Sequence, residues 1–539
     1  MSDLKHFIFY LHKTMKPVSQ LVIISAFGLV TACGGGSKAT QEADTLAADT
    51  AVVVEPVLPL PDTAYASAGK VNARVTVYDT IKDGTVPPDC RFYADAPGVM
   101  TFRKDPFRDA DFGGKIKGTP TDIVVDWTYT TEADYRHTDF GEWGGGTGWT
   151  GQPLYVEWPD SCMKKFKAKG VVNENFGKRE LIIGSLACKV YFLNFDTGKP
   201  TRKAIPTRDN PIKGTPSLDP TLNGNLYVGQ GVPAVRPFGA FVIDLNKHGI
   251  TDFTPEDPKA IRRWGAYDSS PLRLGDFVFR PGENGILYKY TVLPGKLKLH
   301  STLLYTVGGS SPGMECSMAV YRNYGYVGDN HGHVVCVNLS TMQPVWYYFL
   351  GDDIDASPVL AIEDDVPYLY VCCEVDRRRS GDAKLAKLNA LDGSEVWVHN
   401  TPARRFEGDG KHFDGGYYST PLLGSGDCKD IIYAHCVINE GSVRNGHFVA
   451  IDRRDGSTVY TTKLKTYGWS SPVSLVNEAG KMYVFTGDCW GNVYLIDGKD
   501  GKVICRKQVG SNFESSPIVV GNSIVVGSRG NQIFKMTVK

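Results

Sequence analysis

Eight aromatic or acidic residues stand just before copies of one short phrase, and their types suit ligand binding. They are Trp149, Tyr267, Asp268, Glu315, Asp355, Tyr418, Trp469 and Glu514. Further candidates of the same types lie in nearby loops, at Glu142, Trp143, Asp352, Asp353, His412 and Asp414. Aromatic faces beside carboxylates suit a sugar, a cationic peptide segment or a metal ion. The alternative is that these residues are solvated loop positions and packing aromatics.

Two other patterns look catalytic but lack the structural setting that their chemistry needs. Gly309-Ser310-Ser311-Pro312-Gly313 matches a nucleophile elbow, yet Pro312 has no N–H to contribute to an oxyanion hole. The glycines at 146, 148 and 151 match a dinucleotide pattern, yet they lead into a strand rather than a helix. We therefore predict no catalytic residue and no dedicated metal ligand set.

The phrase itself recurs through the chain and predicts the architecture. Trp469-Ser470-Ser471-Pro472 returns in altered form at 268–271, 355–358, 418–421 and 514–517, with weaker copies at 151–153, 214–216 and 315–318. The spacing of roughly 40 to 63 residues is typical of one repeated supersecondary unit. After each copy come short β-branched and aromatic runs separated by Gly/Asp turns, which indicate antiparallel strands. Four strands per unit predict an all-β, eight-bladed β-propeller over residues 121–539.

The two ends of the repeat region predict how the ring closes. Only three strands follow the last phrase, and the missing fourth is found at 121–130, which contains Trp127. We expect this strand to pair with residues 532–538 and so to remove the open sheet edges. Trp127, Trp346, Trp397 and Tyr460 should fill the gaps between blades from the outer strands.

The repeat resembles the PQQ-type propeller repeat of quinoprotein dehydrogenases and of the outer-membrane assembly lipoprotein BamB. The segment Thr101–Asp109, followed by Gly118-Thr119-Pro120, is similar to the Phe-Arg-Gly-Asn-Pro-x-Arg-Thr lead-in of such proteins. The resemblance implies the fold for residues 100–539, but activity does not follow from fold. No stretch matches the calcium ligands or the catalytic Asp of quinoproteins, so we predict no bound PQQ; PQQ with calcium is the alternative.

Cys372 and Cys373 are the candidates for the vicinal disulfide that the quinoprotein resemblance would imply. Neighbouring side chains on a strand point to opposite faces, which opposes that bond. Of the twelve cysteines, we expect most to be reduced, with one or two bridges that the sequence does not assign.

The N-terminus predicts export and a lipid anchor. Basic residues precede a short apolar run that ends in Leu29-Val30-Thr31-Ala32-Cys33, which resembles a bacterial lipobox. We predict a signal peptide over 1–32, with translation starting at Met1 or Met15, lipidation at Cys33 and a flexible tether over 33–65. Residues 66–120 form a lead-in that we expect to pack on the closing blade. Because Gly34 follows the cysteine, the outer membrane is favoured, at either its periplasmic face or the cell surface.

Composition narrows the function classes. The 59 basic and 59 acidic residues cancel, and no long basic run offers a nucleic-acid surface. The prediction is a monomeric, lipid-anchored binding or scaffold protein of the bacterial envelope that holds a protein partner or a glycan. An envelope enzyme, either a quinoprotein-like oxidoreductase or a glycan-active propeller using carboxylates at the channel mouth, is the alternative.

Overall fold

The described residues belong to the propeller and its lead-in. The computed structural model describes residues 68–539 except 89–90, 140, 150, 263, 409–410 and 441–443, and only the backbone of 91, 92, 408, 411 and 412. The predicted signal segment 1–32, the lipidation candidate Cys33 and the tether 33–65 lie outside these residues. No helix within the described part is long and apolar enough to cross a membrane.

Eight sheets follow one another along the described chain and form the blades of a β-propeller, which confirms the predicted fold. Blade 1 contains Leu154–Glu157, Arg179–Ser185, Lys189–Asn194 and Ile205–Pro206; blade 2 contains Ser217–Leu218, Asn225–Gly229, Gly239–Asp244 and Gly249–Pro255. Blade 3 contains Leu272–Leu274, Phe277–Pro281, Ile286–Leu293 and Lys296–Val307; blade 4 contains Ala319–Tyr321, Tyr324–Gly328, His333–Asn338 and Gln343–Phe349.

The second half of the ring repeats this plan with one elaborated sheet. Blade 5 contains Val359–Glu363, Val366–Cys372, Ser380–Asn389 and Glu395–Arg404; blade 6 contains Glu374–Val375, Gly415–Gly416, Leu422–Leu423, Ile431–Val437, Gly446–Asp452 and Thr458–Lys463. Blade 7 contains Val473–Asn477, Met482–Gly487, Asn492–Asp497 and Val503–Gln508; blade 8 contains Ile518–Val520, Ser523–Gly527, Gln532–Val538 and Ile123–Thr130. The remaining elements are two hairpins (Ala133–Asp134 with Gly144–Gly145, Phe406–Gly408 with Lys411–Phe413), the helices Arg91–Ala94 and Asp160–Ala168, and the 3-10 turn Gly426–Cys428.

The ring closes as predicted, through the N-terminal strand of blade 8. Ile123–Thr130 pairs antiparallel with Gln532–Val538, in a register that joins Ile123 to Val538 and Thr130 to Gln532. One blade is therefore built from both ends of the propeller sequence. This pairing covers a sheet edge that would otherwise expose a row of backbone hydrogen-bonding groups.

Aromatic residues on the outer strands lock neighbouring blades together, as the sequence predicts. The indole N–H of Trp346 donates to the carbonyl oxygen of Ala390 in the next blade at 3.1 Å, and its ring covers Gly393. A Cβ on Gly393 would lie 2.6 Å from that ring, and its φ of +72° also favours glycine. The same arrangement recurs for Trp397 on Gly456, for Tyr460 on Gly501 and, across the closure, for Trp127 on Gly198.

A ring of hydrogen bonds joins the phrases around the axis. In each case a backbone N–H of one phrase donates to a side-chain hydroxyl in the phrase of the next blade. We call this series of hydrogen bonds the hydroxyl ring. The bonds are Ser270 to Ser317 (2.9 Å), Ser317 to Ser357 (2.9 Å), Ser357 to Thr420 (3.1 Å), Thr420 to Ser471 (3.1 Å) and Ser471 to Ser516 (3.4 Å). The N–H of Ser516 then donates to the carbonyl oxygen of Gly151 at 2.8 Å. The phrase therefore needs a small hydroxyl residue directly before its proline.

The lead-in is spread over the ring, unlike our expectation that it would pack on the closing blade. Its strands Val71–Val77, Gly98–Val99 and Lys115–Ile116 pair with blades 3, 1 and 7 respectively. Between them, residues 100–114 run across the axis, where the carbonyl oxygens of Pro106 and Phe107 accept the N–H groups of Val320 and Leu360. The segment is distributed in this way because it pairs with strand edges and inner-strand N–H groups that would otherwise lack hydrogen-bond partners.

Two buried arginines of this segment hold it in the channel. Arg103 donates to the carbonyl oxygens of Pro421 (2.8 Å) and Pro472 (3.1 Å), which are the last residues of two phrases. Arg108 donates to the carbonyl oxygen of Met318 at 2.9 Å. Burial lowers the pKa of Arg103 to about 9 and that of Arg108 to about 10, so both remain charged at neutral pH. Residues 100–114 therefore close the channel on the strand side of the phrases.

The ten described cysteines are all free thiols, so no disulfide bridge forms among them. Cys372 ends a strand and Cys373 follows it, and both side chains are buried and reduced. The expected one or two bridges are not found within the described part of the chain.

The hydroxyl ring predicts different effects for two neighbouring serines. Ser471→Ala removes the acceptor of the Thr420 N–H and should lower the free energy of unfolding by about 1–2 kcal/mol, because a buried donor is left unpaired. Ser470 is equally buried but its hydroxyl has no partner among the described residues, so Ser470→Ala should change the stability by less than about 0.5 kcal/mol. Urea unfolding of both variants checks this. Equal losses would contradict the role of the ring.

Candidate functional site

The residue three positions before the last residue of each phrase, which is proline in every copy except Met318, lies at one end of the channel, which we call the mouth. Along the ring these positions hold Lys213, Asp268, Glu315, Asp355, Tyr418, Trp469 and Glu514. The arginine segment closes the channel on the other side of the phrases. The mouth is therefore a recess whose walls come from different blades and whose floor is the hydroxyl ring.

Three predicted aromatic residues meet at one side of the mouth and form an aromatic wall. The ring centroids of Trp149 and Trp469 are 4.5 Å apart, those of Tyr418 and Trp469 are 5.0 Å apart, and those of Trp149 and Tyr418 are 5.5 Å apart. These separations are those of rings in direct contact. A flat ligand therefore finds no slot between them, although it could lie on their outer faces.

A first acidic group, Asp268, Glu283 and Glu315, surrounds a lysine of the protein itself. The Lys213 ammonium lies 2.6 Å from Asp268 Oδ2, 3.3 Å from Glu315 Oε1 and 6.0 Å from the centre of the Trp149 ring. One carboxylate oxygen from each member of the group lies within 4.8 Å of the others. Oxygen donors at this spacing suit a hard cation, and Lys213 already neutralises two of them.

Glu283 is fixed by two further contacts. Its carboxylate accepts hydrogen bonds from Arg262 Nη2 at 3.0 Å and from Trp264 Nε1 at 2.6 Å. The first acidic group is therefore balanced by two cations of the protein. Any added cation would have to displace Lys213.

A second acidic group, Asp353, Asp355 and Glu374, has no such balance. No lysine or arginine forms an ion pair with these three carboxyls within the described residues, and Glu374 is only 2% exposed. Burial raises the pKa of Asp353 to about 8, and burial together with the neighbouring carboxyls raises the pKa values of Asp355 and Glu374. Burial therefore favours the protonated form of these carboxyls.

Several buried polar atoms around the second acidic group lack partners among the described residues. They are Asp353 Oδ1, Glu374 Oε1, Asp414 Oδ1, the Tyr418 hydroxyl and Trp469 Nε1. Burial and the charges of Glu374, Asp414 and Asp355 raise the pKa of Tyr418, which places its hydroxyl beside these carboxyls. Buried polar groups are nearly always hydrogen-bonded, so this concentration makes the mouth the candidate binding site.

Two predicted site residues do not join this arrangement. Tyr267 points into the blade wall, where its ring stacks on Phe238 at 6.2 Å, because it precedes Asp268 on an extended chain and faces the opposite way. Glu514 is engaged by Asn512 Nδ2 at 2.9 Å and Arg529 Nη1 at 3.3 Å.

The predicted loop residues have mixed placements. Asp353 and Asp414 lie in the mouth, whereas Asp352 caps a loop by accepting the N–H groups of Asp353 and Arg377. Trp143 contacts Arg529, and Glu142 is exposed. The side chain of His412 lies outside the described part.

Sequence reasoning missed Lys213, Glu283 and Glu374. Lys213 occupies the position three before Pro216, so strict counting from the proline of the weak phrase would have found it. Glu283 comes from the loop that follows the second strand of blade 3, and Glu374 begins the short strand that follows the second strand of blade 5 and joins blade 6. The second strand returns the chain to the mouth, but their loops share no motif that would have identified them.

The comparisons with known proteins agree with this architecture. The family model described as "Outer membrane protein assembly factor BamB" matches residues 444–539. The BamB protein of Moranella endobia (strain PCIT) is 23% identical over 270 residues, which cover 49% of this chain and 60% of that protein. The chain is similar to the PQQ-like, BamB-like propeller proteins.

Two solved structures are similar in fold to this BamB-like propeller. A europium-containing methanol dehydrogenase superimposes with a TM-score of 0.56 at 12% identity, covering 83% of this chain and 99% of its own. The quinohemoprotein alcohol dehydrogenase of Comamonas testosteroni gives a TM-score of 0.57 at 13% identity, covering 88% and 84%. At such identities the likeness concerns the propeller alone.

The raised pKa values predict how stability depends on pH. A carboxyl whose pKa is raised by folding keeps its proton in the native state and loses it on unfolding, so the free energy of unfolding should fall as pH rises from about 4 to about 8. Each such proton contributes a slope of up to about 1.4 kcal/mol per pH unit. Glu374→Gln removes one titrating group and should flatten the slope between pH 5 and 7.5.

Urea unfolding at several pH values measures this slope. The matched control is Asp382→Asn, which alters an exposed carboxyl of blade 5 and should keep the wild-type slope. A Glu374→Gln variant with the wild-type slope would show that Glu374 is ionised in the native state.

Proposed function

We propose that this BamB-like propeller is a lipid-anchored binding or scaffold protein of the bacterial envelope that holds a protein partner at its mouth, without bound PQQ. The concentration of unpartnered buried polar atoms beside the aromatic wall carries the proposal, because such atoms are costly unless a ligand satisfies them. The likeness to a protein named as an outer membrane assembly factor supports the envelope and partner-binding parts.

The proposed location follows from the N-terminal sequence. Cys33 at the end of the lipobox-like segment would carry the lipid, and residues 33–65 would hold the propeller away from the bilayer. A tether of this composition allows the mouth to reach partners in the same membrane. We propose the outer membrane and a monomeric state.

The proposal treats the mouth as a binding surface rather than a reaction centre. Burial raises the pKa values of the second acidic group, and the Lys213 ammonium is held by two carboxylates. Neither arrangement activates a nucleophile, since activation needs an adjacent general base or a lowered pKa. The same features do suit the capture of a group that brings positive charge.

The second candidate is an envelope enzyme or a glycan-binding propeller. The first acidic group offers oxygen donors at a spacing suited to calcium, and the outer faces of the aromatic wall could stack on a sugar or a quinone. Lys213 stands among those oxygen donors, and the contact between the rings leaves no slot for a sandwiched cofactor. These contacts favour the binding protein over the quinoprotein.

Partner capture tests the main proposal. The full-length, affinity-tagged chain is crosslinked in its own envelope and compared with the double variant Trp469→Ala, Asp355→Asn, which should lose at least nine tenths of the captured partner. The control double variant Trp490→Ala, Asp382→Asn alters one exposed aromatic and one exposed acidic residue on the blades and should capture normally. Thermal unfolding verifies that both variants fold. Equal capture by the wild type and both double variants would show that the partner does not bind at the mouth.

A cofactor titration tests the second candidate. PQQ with calcium, added to the detergent-solubilised full chain, should produce no saturable change in absorbance and no shift of the unfolding temperature. Saturable binding accompanied by dye-linked alcohol oxidation would replace the binding protein with an oxidoreductase. A glycan array on the same sample separates a sugar ligand from a protein partner.

A further inference from the structure

The two acidic groups of the mouth differ in one respect: the first contains a cation of the protein and the second does not. The ammonium of Lys213 reaches Asp268 and Glu315 and lies near the Trp149 ring. That arrangement, a cation held by paired carboxylates next to an aromatic face, is a stable mode of cation binding. This arrangement shows that residues of the mouth can bind a positively charged group.

The second acidic group has the same components without the cation. Glu374 pairs with Gly416, two residues before Tyr418, and its N–H donates to the carbonyl oxygen of Asp353 at 2.9 Å. Asp355 and Tyr418 open neighbouring phrases, which are joined by the hydrogen bond from the Ser357 N–H to Thr420 Oγ1 at 3.1 Å. The Tyr418 hydroxyl and Glu374 Oε1 are both buried and lack a hydrogen-bond partner among the described residues.

The spacing of the carboxyls distinguishes a metal ion from a larger cation. Within the described residues, only Asp268, Glu283 and Glu315 bring three ligand atoms within 4.8 Å of one another. The second acidic group is more widely spaced than a coordinated metal ion requires. A planar guanidinium is larger, carries five N–H donors in a fixed fork and stacks on aromatic rings.

We propose that the second acidic group, with Tyr418 and Trp469, binds an arginine side chain that a partner protein inserts into the mouth. This inference rests on the proposed function and names the chemistry of the partner. The guanidinium would donate to Asp355, Glu374 and the Tyr418 hydroxyl while its plane lies against the aromatic wall. The rest of the partner segment would lie across the loops of blades 5 and 6, which carry Asp353 and Asp414.

The electrostatics of the mouth explain why the arginine must come from outside. Arg262 binds Glu283, Arg529 binds Glu514, and Arg444 packs against Tyr467 with its guanidinium 3.6 Å from the ring centre. Within the described residues, none of these three arginines forms an ion pair with Asp353, Asp355 or Glu374. A cation inserted at the second acidic group would favour the ionised form of its carboxyls, which burial disfavours.

Blocked peptides that present one central residue between glycines test the proposal. The full-length chain is titrated with the arginine, lysine and citrulline versions while its tryptophan fluorescence is followed. Citrulline keeps the shape of arginine and removes the charge. We expect saturable binding of the arginine peptide, at least threefold weaker binding of the lysine peptide and at least tenfold weaker binding of the citrulline peptide.

Variants locate the effect on the proposed residues. Glu374→Gln should weaken binding of the arginine peptide at least tenfold, whereas the exposed control Asp382→Asn should bind it like the wild type. Tyr418→Phe removes only the hydroxyl and should weaken binding about threefold, and it remains a test if Glu374→Gln does not fold.

The outcomes separate this inference from the proposed function. Equal binding of arginine and citrulline peptides, or arginine binding that is unaffected by both Glu374→Gln and Tyr418→Phe, would overturn the inference. Binding of Ca²⁺ or Mg²⁺ that is lost in Glu374→Gln would assign the group to a metal ion and overturn it as well. If the partner is captured through the mouth but the arginine peptide neither binds nor competes, the proposed function stands and the arginine assignment fails.

Discussion

The hydroxyl ring is the interaction on which the rest of this propeller depends. Each blade must bring its inner strand to the axis, where the phrases of neighbouring blades meet and their backbone N–H groups cannot reach water. A serine or threonine hydroxyl from the next blade satisfies five successive N–H groups, and the carbonyl oxygen of Gly151 satisfies the sixth. Because buried donors are rarely left unpaired, this requirement fixes a small hydroxyl residue at that position and a set spacing between blades. Once the ring is fixed, the residue that opens each phrase is held at the mouth and is free to vary in chemistry.

The two sides of the ring carry opposite charges. On the strand side, Arg103 and Arg108 donate hydrogen bonds to carbonyl oxygens of the phrases and place two positive charges in the channel. On the mouth side, buried carboxyls gather, and only the first acidic group has a lysine within bonding distance. Buried polar groups that lack hydrogen-bond partners lower stability, so the second acidic group is maintained at a cost to the fold. Sites of this kind are found where a ligand supplies the missing partner.

Aromatic contacts between the outer strands also hold neighbouring blades together. Trp127, Trp346 and Trp397 each cover a turn glycine in the next blade and donate to a carbonyl oxygen of that blade. These contacts hold the blades at their outer strands, while the hydroxyl ring holds them at the axis. The residues that line the mouth are therefore held in place by contacts both at the axis and at the outer strands. This rigidity suits a pre-organised binding surface. Its relatives named for outer membrane assembly and for alcohol oxidation show that one propeller frame supports different sites.

The sequence by itself determined the eight blades, the closing strand and the outer aromatic locks, because each follows from a local pattern of strands, turns and phrases that repeats along the chain. It also indicated most of the aromatic wall and the carboxyls Asp268, Glu315 and Asp355, since the position before the phrase is fixed by counting. Only the tertiary structure decided that Tyr267 turns into a blade, that Lys213 neutralises the first acidic group and that Glu374 joins the second. The physical reason is that ion pairing and burial depend on distances between blades, and residues that are far apart in sequence carry no local signal of the charges they will meet.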